Sequence, residues 1–264
     1  MKMKLNEKDI RKKIKKGERH DGRDLEEYRD IEIEADYIKK TADGSALVRI
    51  GDTQVVAGIS TEVESPYPDR PESGTIVTNA ELAPMADREY ESGPPQEDGV
   101  ELARVVDRGI RESEAIDLED LCIEPGEKVY TLFIDLHILN NDGNLIDASS
   151  LAAMAALKSV TLPAYDEEEE TLDRDKDWKD IELSTEPVTA TARMINGELV
   201  FDTTGEEEQA MDARLTVSID QNGQVVAMQK GEEEPYSTLD IVEAMEKVKE
   251  KTSEFRELLD EAVE

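Results

Sequence analysis

The sequence predicts an α+β fold with helices laid on sheets, and three observations lead there. Stretches of alternating and of helical hydrophobic period follow one another as βββ…α…β…α and then ββ…α. Turn signals such as Gly51-Asp52 and Asn222-Gly223 separate neighbouring strand stretches. Hydrophobic residues make up 38% of the 264 and aromatic residues 4%, so the core is built from Val, Ile, Leu, Ala and Met. That supply suffices for one large domain or two merged halves.

Taken in order, residues 2–16 are basic and read as a short amphipathic helix with Leu5, Ile10 and Ile14 as its apolar stripe. Such a helix suits a membrane surface, RNA, or an acidic protein surface, either this chain's own or a similar subunit's. After the turn-rich 20–24, residues 45–59 read as two strands joined tightly at Gly51-Asp52. A proline-rich loop at 65–74 leads to a strand at 75–84. A second loop, 92–99, feeds a helix over 101–116. Residues 129–139 are strand, 140–144 a turn, and 147–160 a helix with Asp147 or Ser149 as its N-cap. Residues 166–186 are acidic, contain the only tryptophan, Trp178, and read as a connector. Strands follow at 190–197 and 198–202. The stretch 212–228 is a hairpin whose Asn222-Gly223 suits a type I′ turn. A helix over about 237–262 ends the chain, with Ile241, Met245, Val248, Phe255 and Leu258 at helical spacing.

Sixty-five acidic residues against 31 basic give a formal net charge of −34. A folded chain so charged repels itself in dilute salt. In about 1 M salt the Debye length is about 3 Å and the repulsion is largely screened. The simplest account is a salt-rich, halophilic cytoplasm. The same acidity excludes a nucleic-acid binder that uses its whole surface, because polyanions avoid it. Cys122 is the only cysteine, so no internal disulfide forms; it reads as a small buried hydrophobe, and a reducing cytosol fits. No apolar run approaches the roughly 20 residues that span a bilayer. The basic N-terminus lacks the apolar stretch of a signal peptide. The expectation is a cytoplasmic protein.

Against this background the helix over 101–116 stands out. At 100° per residue, Arg104, Arg108 and Arg111 fall within about 60° of one another, with Leu102, Val106 and Gly109 opposite. One side packs inward while the other offers guanidinium forks, which match phosphate oxygens. The plain alternative is a salt-bridged face, because Glu101, Asp107 and Glu112 stand at helical neighbour spacing.

These segments, in this order, resemble the RNase PH family of phosphate-dependent 3′-exoribonucleases, and within it the non-catalytic RNase PH-like subunits of the archaeal exosome. The resemblance runs from about residue 19 to 262. It is carried by HDGRDLEEYR (20–29), GSALVRIGDTQVVAGI (44–59), ELARVVDRGIRES (101–113), LIDASSLAAMAAL (145–157) and EEEQAMDARLTVSID (206–220). It implies two similar βαβα halves, with helices packed on mixed or antiparallel sheets. The organisation expected is a basic helix over 1–18 and one domain over 19–264, its halves (about 19–165 and 186–264) joined by the acidic connector. It also implies a ring of three heterodimers with a catalytic RNase PH-like subunit, topped by RNA-binding cap subunits around single-stranded RNA, with no membrane partner. In such non-catalytic subunits, arginines spaced R-x-x-x-R hold the RNA backbone beside the neighbour's active site. The matching residues are Arg104 and Arg108; Arg111 has weaker support.

Phosphorolysis needs an anion site for inorganic phosphate and a carboxylate pair at the transferring phosphoryl group. Catalytic relatives carry D-G-G-T-R-T at a helix start, where this chain reads Asp147-Ala148-Ser149-Ser150-Leu151-Ala152. Leu151 cannot bind an anion, and capping explains Ser149 and Ser150 equally well. Catalytic relatives carry two aspartates six residues apart. Here Asp212 keeps the second place and Glu206 stands in the first. Such a shift of the carboxylate costs orders of magnitude in rate. Glu206 lies in the run Glu206-Glu207-Glu208 and reads as part of a solvated loop, and Asp212 equally caps or braces the hairpin it precedes. His20 and His137 are the only histidines; His137 lies in a strand and reads as structural. The expectation is a subunit inert alone, with no catalytic or metal-binding residue and no cofactor of its own. Two alternatives remain: an autonomous phosphorolytic exoribonuclease, and a purely structural ring member whose arginines are salt-bridged.

Overall fold

Strand β1 (Ile31–Ala35) opens a mixed sheet that continues through β2 (Gly44–Ile50), β3 (Thr53–Glu64) and β4 (Thr75–Leu82). Ahead of it lies helix α1 (Glu7–Ile14), the first element of a computed structural model that describes residues 7–174 and 179–263. Helix α2 (Glu97–Glu112) follows β4, then β5 (Cys122–Glu124), β6 (Lys128–Asn140) and helix α3 (Leu145–Lys158). The sheet order is β1-β2-β3-β6-β4, with β5 paired to β6. Every pairing is antiparallel except that of β4 with β6. A parallel pair needs a crossover, and α2 supplies it.

Four short strands follow: β7 (Thr161–Leu162), β8 (Ala164–Asp166), β9 (Thr171–Asp173) and β10 (Lys179–Asp180). They pair as β8 with β9 and β7 with β10, so part of the stretch read as a connector forms ladders. Trp178 lies outside the described residues. The remaining elements are β11 (Val188–Ile195), β12 (Glu198–Phe201), the single turn α4 (Gly205–Glu208), β13 (Ala213–Ile219), β14 (Val225–Gly231) and α5 (Thr238–Val263). They build an antiparallel sheet in the order β12-β11-β13-β14.

Helices α2 and α3 lie between the two sheets. α3 touches β2, β3 and β11, while α2 touches β4 and β14. This placement explains why α3 is buried on every face from Ile146 to Leu157. Where α3 meets the second sheet the contact is hydroxyl-rich. Ser150 donates to Thr189, which bonds Ser218, while Thr191 bonds both Asp147 and Thr216. Gly109 lets α2 approach this seam: a Cβ there would stand 3.1 Å from the Ser218 hydroxyl.

Four sequence expectations are corrected. The N-cap of α3 is Asn144, not Asp147 or Ser149. Gly143 and Asn144 both take positive φ (81° and 58°), a reversal that Asn tolerates, and so start the helix earlier. The type I′ turn falls at Asn196-Gly197 (φ 54° and 83°), joining β11 to β12. At Asn222-Gly223 only the glycine has positive φ, because the Asp220 carboxylate captures the Asn222 and Gln224 amides. On α5 the buried stripe is Ala244, Val248, Thr252, Phe255 and Leu259; Ile241 is exposed and Leu258 half-buried. Cys122 is half-buried rather than buried.

The basic helix docks on its own chain. Ile10 and Ile14 of α1 are buried with Ile195, Val200 and Ala210, and Lys15 pairs with Glu198 at 2.9 Å. Leu5 lies outside the described residues. Among those residues no helix is long and apolar enough to cross a membrane.

With 34 excess negative charges on this framework, stability is expected to rise with salt. Between about 0.1 and about 1 M potassium chloride the Debye length falls from about 10 to about 3 Å. Relieving a few kcal/mol of repulsion raises the melting temperature of a chain this size by about 10 °C. Melting followed by circular dichroism across that range is the check. A constant or falling melting temperature would contradict the salt-adapted reading.

Candidate nucleic-acid interface and the adjoining cleft

Helix α2 begins after Gln96, whose side chain makes no capping bond; Glu97 and Asp98 in its first turn complement the helix dipole. Its inward residues are Leu102, Ala103, Val105, Val106, Gly109 and Ile110. They cover more of the circumference than the expected stripe because the helix is packed from two sides. The three arginines remain outside the packing, and the structure divides them.

Arg111 is engaged. Its Nε and Nη2 donate to the two carboxylate oxygens of Asp107 at 3.1 and 2.8 Å, and Nη2 also reaches the Ile76 carbonyl at 2.8 Å. The Asp107 hydrogen bond pushes the Arg111 pKa further up. Of the acids that could have neutralised Arg104 and Arg108, Asp107 is thus taken, and Glu101 is held by Arg214 of β13 and Gln229 of β14. Arg104 and Arg108 are exposed and make no hydrogen bond or ion pair among the described residues. Arg108 stands where α2 meets β14, beside Met228 and Gln229. Two unpaired guanidiniums one helical turn apart, on a surface this acidic, form a local anion-facing strip.

Beside the buried flank of α2 opens a cleft of about 710 Å³, lined by Arg88, Glu101, Arg193, Glu206, Glu208 and Arg214 among others. The start of α3 forms part of its wall. Asp147, third residue of that helix, is fully buried. It accepts hydrogen bonds from the Tyr28 hydroxyl (2.8 Å) and from the Thr191 hydroxyl (2.7 Å) and amide (3.2 Å). Burial raises its pKa, against the pull of Arg193 and these donors. Ser149 and Ser150 lie inside the helix and cap nothing. Ser150 donates to Thr189, and the buried Ser149 hydroxyl has no partner among the described residues. Leu151 is buried in the core.

The acidic run 206–208 is not a solvated loop. It is α4, closed by a capping box in which Thr204 accepts from the Glu207 amide and Glu207 accepts from the Thr204 amide. The T-x-x-E spacing was present in the sequence as the signal for it. Glu207 is buried and takes a bidentate bond from Arg19 at 3.0 and 2.6 Å. Glu208 pairs with Arg193 at 2.6 Å. Glu206 is half-buried and lines the cleft.

Asp212 does not join it there. Its carboxylate faces Arg11 of α1 at 2.7 Å and accepts the Asn196 amide at 2.6 Å. It braces the β11–β12 hairpin that precedes it, not the one it begins. Glu206 and Asp212 therefore do not fit as a shared cation site. His137 is half-exposed on β6 and contacts Glu81 at 3.0 Å. Sequence reasoning missed the cross-strand pair Arg193 and Arg214, whose register appears only once β11 and β13 pair.

Comparison with known proteins gives two family matches. The 3′ exoribonuclease family, domain 1, matches residues 27–163, and domain 2 of the same family matches residues 185–250. The chain is similar to the exosome complex component Rrp42 of Thermococcus onnurineus, at 45% identity over 252 residues, covering 95% of this chain and 92% of that protein. It is similar to the Rrp42 component of Methanopyrus kandleri at 49% identity over 222 residues, covering 83% and 82% of the two chains. Among solved structures it resembles a chain of the Archaeoglobus fulgidus exosome with RNA bound to the active site. There the TM-score is 0.88 at 42% identity, with 95% of this chain and 96% of that one covered.

Proposed function

The chain belongs to the 3′ exoribonuclease, or RNase PH, family, and from that premise we propose that it is the non-catalytic subunit of an archaeal exosome ring. It binds the RNA backbone through Arg104 and Arg108 and helps structure the active site of the catalytic RNase PH-like subunit beside it. The ring then degrades RNA from the 3′ end by phosphorolysis. Its partners are that catalytic subunit, in a ring of three heterodimers, the RNA-binding cap subunits and single-stranded RNA; its place is the cytoplasm.

The observation that carries this reading is the pair of guanidiniums left unpaired on α2 among the described residues, while Asp107 and Glu101 beside them are engaged elsewhere. Guanidinium forks suit phosphate oxygens, and their spacing lets one strand be held at two points. Arg111, by contrast, serves the fold. That the subunit is inert alone is supported by the state of both catalytic devices. Leu151 is committed to the core, and Asp212 is committed to Arg11 and Asn196.

The test is phosphate-dependent shortening of a single-stranded RNA, with magnesium in concentrated potassium chloride. The chain is run alone and then with its catalytic partner. No shortening alone and shortening together is the expected result. Nucleoside diphosphate release by the chain alone, abolished by Asp212→Asn, would show an autonomous exoribonuclease instead.

A further inference from the structure

Helix α3 has fourteen residues, and its N-terminus opens on the cleft through Leu145 and Ile146. The positive end of a helix attracts an anion, and here the chain supplies one. Oε1 of Glu208 accepts the backbone N–H of the N-cap residue Asn144 at 2.8 Å. The same oxygen lies 2.6 Å from Nη2 of Arg193 and takes the Thr203 hydroxyl at 3.3 Å. Three donors from three separate segments thus converge on one oxygen.

The cationic side of the cleft is not used up by this contact. Arg193 on β11 and Arg214 on β13 are directly paired across the sheet, and both line the cleft. Arg193 is only 2% exposed, yet its Nε has no hydrogen-bond partner among the described residues; the Nε of Arg214 is likewise buried and without one among them. A buried guanidinium N–H without an acceptor is costly. A planar carboxylate offers two oxygens, whereas a tetrahedral oxyanion offers four. The donor set is richer than the resident acceptor.

We infer that Glu208 is a built-in anion seated in a place suited to a tetrahedral oxyanion, and that its presence keeps free phosphate out of this cleft. Glu101, on Arg214, holds the neighbouring guanidinium in the same way. With both carboxylates in place the acids along the cleft, Asp98, Asp142 and Glu206 among them, outnumber its arginines, and a phosphate is repelled. This deepens the proposal that the chain is inert alone and rests on it: the subunit cannot hold the phosphorolytic nucleophile because its own side chain occupies the seat.

The experiment is titration of inorganic phosphate into the full chain, followed by calorimetry in concentrated potassium chloride. The wild type is expected to show no saturable binding. Glu208→Gln keeps the shape and removes the charge, and is expected to bind phosphate at one site at least about tenfold more tightly than the wild type. Glu101→Gln combined with Glu208→Gln binds tighter still, and Arg193→Met added to Glu208→Gln abolishes the gain. Asp98→Asn, which removes a cleft charge away from the seat, gains far less than Glu208→Gln. If Glu208→Gln is destabilised, its melting temperature becomes the readout: phosphate raises it further than chloride does at equal ionic strength. Equal phosphate binding by wild type and variant, no binding by either glutamine variant, or an equal gain from Asp98→Asn would each overturn the inference. RNA shortening by the wild-type chain alone would overturn the inert reading, whereas phosphate binding without shortening would overturn only the seat.

Discussion

Replacing Arg104 and Arg108 together by alanine is expected to weaken RNA binding by the assembled ring about tenfold to a hundredfold, at one charge-assisted contact of about 1.5 kcal/mol or less per arginine. The salt dependence is the sharper signature. Each phosphate contact to a single strand contributes a log–log slope of about −0.7, so losing two flattens the slope by about 1.4. Folding stability is expected to stay level, because neither side chain is bonded among the described residues. Arg111→Ala is the informative contrast. It removes two bonds to Asp107 and one to Ile76, and so lowers stability while leaving the salt slope alone. RNA affinity measured across a potassium chloride series separates the two. An unchanged slope in the double variant would reduce these arginines to surface decoration. Confinement within the ring matters here: two contacts hold RNA poorly in molar salt, so the isolated chain should bind weakly.

Asp202→Asn is expected to destabilise the chain by about 3–5 kcal/mol, the usual cost of stranding a buried charge. Its carboxylate is fully buried at the end of β12 and takes Arg23 at 2.7 Å and Arg29 through Nε (2.8 Å), Nη2 (2.7 Å) and the backbone amide (2.8 Å). Asn144, the N-cap of α3, donates to it as well at 3.0 Å. One carboxylate thus ties the N-terminal segment, the second sheet and the start of α3 together. Burial alone would raise its pKa, but the hydrogen bonds and charge of Arg29, then Arg23, hold it below the ordinary value. A depressed carboxylate stabilises the fold above its unfolded pKa of about 3.9 and loses that contribution as pH falls through the folded value. The variant's stability should therefore fall less steeply than the wild type's below about pH 4. Asp147 works in the opposite sense: its raised pKa makes its contribution fade as pH rises. Denaturant melts from pH 3 to pH 7, a window set by the reference carboxylate value of about 4, read both effects. A loss well under about 1 kcal/mol would mean that the arginines are compensated elsewhere.

Local pattern was enough to read the strands on either side of Gly51-Asp52, the long strand β6, the helices α2 and α5 and the outward arginine face. It failed where two similar local signals compete. Asn196-Gly197 and Asn222-Gly223 read alike, but Asp220 captures the second turn with its side chain and leaves the first to form type I′. It failed again at 206–208, where three glutamates in a row look like a solvated surface. Arg19, 188 residues from Glu207, and Arg193, 15 residues from Glu208, draw these two glutamates into ion pairs.

By itself the sequence determined the family, the α+β order of its elements and the face on which Arg104 and Arg108 lie, because hydrophobic period and motif spacing are carried by neighbours in the chain. Tertiary structure alone decided which charges are free. The pairings Arg11–Asp212, Arg19–Glu207 and Arg214–Glu101 join residues more than a hundred positions apart. An ion pair depends on distance in space, which the spacing of residues along a chain does not contain.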